Sequence, residues 1–147
     1  MILDTTYLLP LAKIGVDADL LLAIAEKKTK LQLEDIDVSL ISLFELQAKA
    51  AKLRIPADVV NNSTKAVLKT FDVIPFSESA VVETSFRLRN QMTDYIDCMI
   101  VGTAAARHED VVSEDSKIWR ARKLLRDEYG VIVHRYKDLV GVAPRQA

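Results

Sequence analysis

Four acidic side chains stand in positions that suit phosphoryl-transfer chemistry. Asp4, Glu45 and Asp115 each follow a short apolar run that is typical of a β-strand, and Asp97 lies inside the most apolar helical segment, 95–106. An ionised carboxylate in such a helix is costly unless a cation or several donors meet it. Taken singly, Asp4 and Asp115 suit helix caps, and Glu45 suits the positive end of a helix dipole. Capping does not explain the joint pattern, which predicts one acidic cluster.

A cluster of carboxylates needs cations, because neighbouring negative charges raise one another's pKa. With oxygen ligands alone, the natural partners are Mg²⁺ or Mn²⁺. We expect Asp4 and Asp97 to be the primary ligands, and Glu45 and Asp115 to complete the shells directly or through water. Asp94, three residues before Asp97, shares its helical face and equally suits a helix cap. The chemistry predicted is metal-assisted hydrolysis of a phosphate ester.

A basic segment, 117–126, directly follows Asp115 and contains no acid. On one helix, Ile118, Ala121 and Leu125 would form the core stripe and the cations would flank it, beside the predicted metal site. The alternative is a solvated helix face whose cations pair with the acids that follow. We expect Trp119 to be a partly buried aromatic rather than a platform for a base. The candidate substrate-binding residues are the cations Lys117, Arg120, Arg122 and Lys123, together with Ser113, which lies two residues before Asp115.

Short β-prone runs alternate with longer segments of helical spacing along the whole chain. The runs lie at 1–3, 38–41, 71–75, 110–113 and 130–133. Helices between strands imply crossover connections, and therefore an α/β fold with a mostly parallel sheet of about five strands, covered on both faces. Ligands of such sheets collect at the carboxyl ends of the strands, where the acids are expected.

Composition predicts a single globular domain over residues 1–147. The chain has 50% hydrophobic residues and a net charge of -1, so a disordered tail and a generally basic surface are both excluded. One cysteine and two histidines are too few for a disulfide or a Cys/His zinc site. The start of the sequence does not resemble a signal peptide, and no apolar run reaches the length of a membrane span, so we expect a cytoplasmic protein with no membrane partner.

The acidic residues in their local motifs resemble the PIN-domain nucleases, especially the VapC-type toxins of toxin–antitoxin pairs. The resemblance rests on Leu3-Asp4-Thr5, Ser42-Leu43-Phe44-Glu45-Leu46, Asp97-Cys98-Met99-Ile100-Val101-Gly102-Thr103-Ala104 and Val112-Ser113-Glu114-Asp115.

The resemblance implies a three-layer α/β/α sandwich and a Mg²⁺/Mn²⁺-dependent endoribonuclease. It also implies a homodimer, and a small VapB-like antitoxin whose tail enters the active-site groove. Ser113 stands where the family usually has threonine and keeps the hydroxyl that would orient Asp115, and Gly102 replaces the more usual alanine. Asp94 matches a less regular acidic position of the family and is carried over as an accessory ligand.

Two other functions remain open on the residues alone. Clustered acids with Mg²⁺ also serve small-molecule phosphatases and phosphoryl-accepting domains. A non-catalytic partner-binding α/β module would use the same acids as caps and surface charges. The sequence has no GxxxxGK[ST], GxGxxG or GxSxG motif, which weakens nucleotide-binding and serine-hydrolase alternatives.

Overall fold

The computed structural model describes residues 1–141, which contain a five-stranded sheet of parallel strands. The spatial order is β3-β2-β1-β4-β5, and every neighbouring pair is parallel. Ile2 of the central strand pairs with Asp37 on one side and Val111 on the other. The strands are β1 (Ile2–Leu3), β2 (Asp37–Ser39), β3 (Asp72–Ile74), β4 (Val111–Val112) and β5 (Val133–His134).

Helices connect consecutive strands, as the alternating sequence pattern predicts. A 3-10 helix, Thr5–Ala12, begins directly after β1. Within residues 1–141 no helix is both long enough and apolar enough to cross a bilayer. The α-helices are α1 (Leu20–Ala25), α2 (Leu40–Lys52), α3 (Ala57–Thr70), α4 (Ser79–Leu88), α5 (Tyr95–Arg107), α6 (Ser116–Arg120), α7 (Arg122–Tyr129) and α8 (Tyr136–Leu139).

Each face of the sheet carries its own hydrophobic core. Because successive side chains of a strand point to opposite faces, Ile2 packs in a core with Ile100 of α5, whereas Leu3 packs with Tyr7 and with Leu46 of α2. All five side chains are fully buried. The predicted three-layer α/β/α sandwich with a parallel sheet is confirmed.

The strand order creates a crevice at the carboxyl ends of β1 and β4. From β1 the chain adds β2 and β3 on one side, then returns to add β4 and β5 on the other. Ligands of open α/β sheets bind where the strand order reverses in this way. The residues that follow β1 and β4, Asp4 and Ser113 to Asp115, lie at that point.

The structure corrects three details of the sequence interpretation. The second strand ends at Ser39 rather than residue 41, because Leu40 and Ile41 form the first turn of α2. The last strand does not start at residue 130, because Gly130 (φ 66°) ends α7 in the left-handed conformation. The basic segment is two helices rather than one, since the chain breaks at Ala121, between α6 and α7.

Candidate metal centre

Asp4 directly follows β1 and is held by two hydrogen bonds. Its carboxylate accepts from the Thr5 backbone N–H at 2.7 Å through one oxygen and from the Ser113 hydroxyl at 2.6 Å through the other. Burial raises the pKa of Asp4, and the bonds from Ser113 and Thr5 oppose that rise. The Ser113 oxygen also accepts the Asp115 N–H at 3.0 Å, so one buried hydroxyl links the ends of β1 and β4.

Glu45 reaches the same crevice from α2. Its Oε1 accepts a hydrogen bond from the Thr5 hydroxyl at 2.5 Å. Burial raises the Glu45 pKa, and the charges of Asp4 and Asp94 add to the rise. The prediction that Glu45 lies in the opening turn of its helix is wrong: α2 begins at Leu40 and its first turn holds no acid. Compensation of the helix dipole therefore does not explain this residue.

Asp97 lies in the first turn of α5 and is the least satisfied carboxylate of the cluster. It is 8% exposed, and its Oδ2 is buried with no hydrogen-bond partner among the described residues. Burial, followed by the charges of Asp115, Asp94 and Asp4, raises its pKa to about 7, although the Lys117 ammonium opposes the rise. The carboxylate thus lacks the compensating donors that a structural buried acid normally has.

Asp94 and Asp115 are helix caps as well as members of the cluster. Asp94 accepts from the Ile96 and Asp97 N–H groups at 3.0 and 3.3 Å, and Asp115 accepts from Lys117 N–H at 2.7 Å. The capping interpretation is therefore confirmed for both residues, and it also holds for Asp4. Capping and membership of the acidic cluster coexist, because helices α5 and α6 begin at the crevice.

Two cavities open on this cluster. The candidate active-site cavity, called the active-site cavity below, is about 470 Å³ and is lined by Asp4, Glu45, Asp97 and Asp115 together with side chains of α2. The side cavity, about 530 Å³, is lined by Asp94, Asp97, Lys117 and Arg120. Asp97 lines both, so it stands at their junction.

The four basic residues predicted to bind substrate do not all line the same cavity. Lys117 and Arg120 line the side cavity, and the Lys117 ammonium lies 3.5 Å from the Asp94 carboxylate. Arg122 and Lys123 line neither cavity, although Leu124 of the same helix, α7, lines the side cavity. The Arg122 guanidinium instead lies 4.4 Å from the ring centroid of Trp119, which is half-buried as expected.

Sequence reasoning missed several residues that line the active-site cavity. Phe44, Lys49 and Lys52 do so from α2. Lys49 opposes the burial-driven rise in the pKa of both Asp4 and Glu45. The helical spacing of Glu45 to Lys49, four residues, was a signal for this placement. Glu114 also lines the cavity, but its Oε1 is bound by the Tyr7 hydroxyl and the Tyr136 N–H.

The donors at this site fit a hard divalent cation. Every candidate ligand is a carboxylate, and Asp97 offers an oxygen that no other residue of 1–141 binds. Among residues 1–141 no three acidic, histidine or cysteine side chains are placed to enclose one ion. Mg²⁺ does not need such a cage, because it usually keeps several waters and takes one or two carboxylates.

The sequence profile of the PIN domain matches residues 1–124, and the chain therefore belongs to the PIN domain family. This confirms the resemblance drawn from the acidic motifs. A comparison with curated protein sequences gives no significant match.

Solved structures share this fold at low sequence identity. The complex FitAB bound to the IR36 DNA fragment contains a chain that matches with a TM-score of 0.67 and 20% identity, over 97% of this chain and 100% of that one. A chain of FitAcB from Neisseria gonorrhoeae matches with a TM-score of 0.65 and 22% identity, over 94% and 99%. A toxin-antitoxin complex from Klebsiella pneumoniae matches with a TM-score of 0.59 and 22% identity, over 89% and 94%.

Proposed function

We propose that the protein is a Mg²⁺- or Mn²⁺-dependent endoribonuclease and the toxin of a toxin–antitoxin pair. The observation that carries the proposal is the Asp97 carboxylate, which is buried and surrounded by other acids, and one of whose oxygens has no partner in the described part of the chain. Such an arrangement is unfavourable in the protein alone and becomes favourable when a divalent cation binds. Membership of the PIN domain family points to nuclease chemistry at this site.

The side chains divide into ligands and groups that hold them. Asp4 and Asp97 are the primary ligands in this proposal, Glu45 and Asp115 complete the shells directly or through water, and Asp94 is an accessory. The bound ion would prepare a water for in-line attack and neutralise charge on the phosphate and the leaving oxygen.

Two hydroxyl groups set the orientation of these ligands. The hydroxyl of Ser113, which directly follows β4, holds Asp4, and the hydroxyl of Thr5, at the start of the 3-10 helix after β1, holds Glu45. Ligand orientation by such outer partners is typical of metal sites.

The partners follow from the family and its structural neighbours. Three of the similar structures are toxin–antitoxin or FitAB complexes, which supports a small VapB-like antitoxin as partner of this chain. We also propose a homodimer, on the family resemblance. Light scattering of the purified protein, alone and after co-expression with a candidate VapB-like antitoxin, tests both.

Cleavage of a mixed-sequence single-stranded RNA by wild type and by Asp97→Asn tests the nuclease proposal. The assay is run with Mg²⁺, Mn²⁺ and EDTA, and the products are resolved by size. We expect cleavage by wild type only, and only with metal. Asp127→Asn is the matched control, because Asp127 is an exposed acid on α7 outside both cavities. A fully active Asp97→Asn enzyme contradicts the proposal.

Metal binding is measured independently of cleavage. Mn²⁺ should raise the melting temperature of wild type, since a ligand that binds the folded state stabilises it, and the rise should be smaller in Asp97→Asn. A phosphoaspartate on Asp4 after treatment with a phosphodonor, without RNA cleavage, would instead indicate a phosphoryl-accepting domain.

A further inference from the structure

The acidic cluster has cations on two sides. In the active-site cavity, Lys49 and Lys52 extend along α2 beyond Glu45. In the side cavity, Lys117 and Arg120 project from α6. Because Asp97 lines both cavities, it lies between the two pairs of cations. A single small phosphate would need cations at one point only, whereas a chain with several phosphates can use cations on both sides of the bond that is cut.

These cations are mostly free to bind an anion. Within residues 1–141, Lys49, Lys52 and Arg120 form no salt bridge with an acid, and Lys117 has only the 3.5 Å contact with Asp94. Lys49, Lys52 and Arg120 are exposed. Solvent-exposed cations without partners give up little when they bind a phosphate, and they release counterions from the nucleic acid when they do.

An aromatic ring stands beside the α2 cations. Phe44 directly precedes Glu45, lines the active-site cavity and is 60% exposed. Phe44, Ala48 and Lys52 are spaced four residues apart and therefore share one face of α2. An exposed aromatic ring next to a row of cations is the arrangement that binds single-stranded nucleic acids, because a base stacks on the ring while cations follow the backbone.

We propose that single-stranded RNA crosses Asp97 from α2 to α6, with one base stacked on Phe44. Its phosphates contact Lys49 and Lys52 on one side of the cleaved bond and Lys117 and Arg120 on the other. This inference rests on the proposed ribonuclease function and names the side chains of this chain that bind the RNA. Bases in a duplex are stacked on one another and are not available to Phe44, so the enzyme acts on single strands and loops in preference to duplexes.

The stacking position is tested with Phe44→Leu. We expect kcat/KM for single-stranded RNA to fall about 5-fold to 10-fold, as for loss of one base–aromatic contact. Phe44→Trp should retain or improve activity, because it keeps an aromatic face. Phe86→Leu is the matched control: Phe86 is 66% exposed on α4 and lines neither cavity.

A series of RNAs, each with a single abasic nucleotide, separates stacking from a structural effect. One abasic position near the cleaved bond should lower wild-type kcat/KM, and at that position Phe44→Leu should cause no further loss. A merely structural effect of Phe44→Leu would persist on every RNA of the series, which would overturn the proposal.

The proposed phosphate contacts of Lys49 and Lys52 are tested by the salt dependence of RNA binding. In the Asp97→Asn protein, which is expected not to cleave, anisotropy gives the slope of log affinity against log salt. Replacing both Lys49 and Lys52 with alanine should make the slope shallower by about 1.4, because each phosphate contact on a single strand contributes about 0.7. Lys65→Ala with Lys69→Ala, on α3, should leave it unchanged.

The outcomes separate this inference from the function on which it rests. If wild type does not cleave or bind RNA, the ribonuclease proposal fails. A second outcome is that wild type cleaves RNA in the presence of metal while Phe44→Leu matches its kcat/KM and the Lys49/Lys52 variant matches its salt dependence of binding. In that case only the proposed position of the RNA on the protein is wrong. Equal kcat/KM for duplex and single-stranded RNA of the same sequence would also overturn that position.

Discussion

The buried Asp97 carboxylate should make the metal-free protein less stable as pH rises. The pKa of Asp97 is raised to about 7 by burial and then by the charges of Asp115, Asp94 and Asp4. In the unfolded chain an aspartate titrates near 3.9. The folded state therefore holds a proton that the unfolded state has lost, and stability falls as pH rises from about 4 through about 7. Asp97→Asn removes this titration with little change in shape.

The size of the effect follows from the shift. Without solvent screening, a pKa shift of this size would change the free energy of unfolding by about 4 kcal/mol. Asp97 lines two open cavities, so solvent screens its charge, and we expect about 1–2 kcal/mol. At about pH 8 in EDTA, Asp97→Asn should exceed wild type in free energy of unfolding by that amount, and the difference should shrink as pH falls toward about 5.

Urea denaturation in EDTA at pH values from about 5 to about 8 measures this difference. Asp127→Asn is the control, since Asp127 is an exposed acid outside the cluster. Its free energy of unfolding should change with pH in the same way as that of wild type. Saturating Mn²⁺ should reverse the order of wild type and Asp97→Asn at high pH, because wild type gains more from the ion. A constant difference across the pH range, or a less stable Asp97→Asn protein at every pH, would refute the reasoning.

Two further substitutions test the packing around the cluster. Ser113→Ala removes the hydroxyl that donates to Asp4 and accepts from the Asp115 N–H. We expect the free energy of unfolding in urea to fall by about 1.5–3 kcal/mol, and RNA cleavage to fall as well. Unchanged values in both assays would contradict the role given to the hydroxyl. Gly102→Ala should lower the free energy of unfolding by about 1–3 kcal/mol, because an added Cβ would lie 2.6 Å from the Ser85 Oγ and 3.3 Å from the Ser85 backbone nitrogen. Helix propensity alone predicts the opposite, a gain in stability. Combining Ser85→Ala with Gly102→Ala should recover part of that stability, as measured by urea denaturation. If the stability losses of the two single variants simply add in the double variant, the contact between residue 102 and Ser85 is not the cause.

Element type and order could be predicted because local pattern and tertiary environment agree along most of this chain. Asp72–Ile74, for example, lies within the predicted run 71–75, and the helix around Asp97 is buried nearly all round as its apolar composition indicates. The boundaries were less certain where an apolar run continues into a helix. Leu40 and Ile41 are as apolar as a strand, but the backbone turns into α2 after Ser39.

The basic segment shows where local pattern fails. Its residues fit one helix, yet Ala121 separates α6 from α7, and only Lys117 and Arg120 of its cations line a cavity. The 3-10 helix after β1 was also missed, although Asp4 was expected to cap a helical turn there. Nothing in residue spacing sets the angle between two short helices, because packing of Ile118 and Leu125 against the sheet fixes it.

The sequence by itself determined the acids, their order along the chain, the strands that Asp4 and Asp115 follow and the apolar helix that carries Asp97. An acid after a parallel strand lies at the carboxyl edge of the sheet wherever that strand is placed, and an aspartate in an apolar helix is buried in any fold that covers the helix. Only the tertiary structure decided which strands are neighbours and which side chains share a cavity. The pairing of β1 with β4 puts the Ser113 hydroxyl on Asp4, and the crossing of α2 over the sheet brings Phe44, Lys49 and Lys52 to the cluster. Ser113 and Asp4 are far apart in the chain, so no local pattern encodes their contact. The spacing of Glu45 and Lys49 indicates that they share a helical face, but not that α2 lies at the cluster.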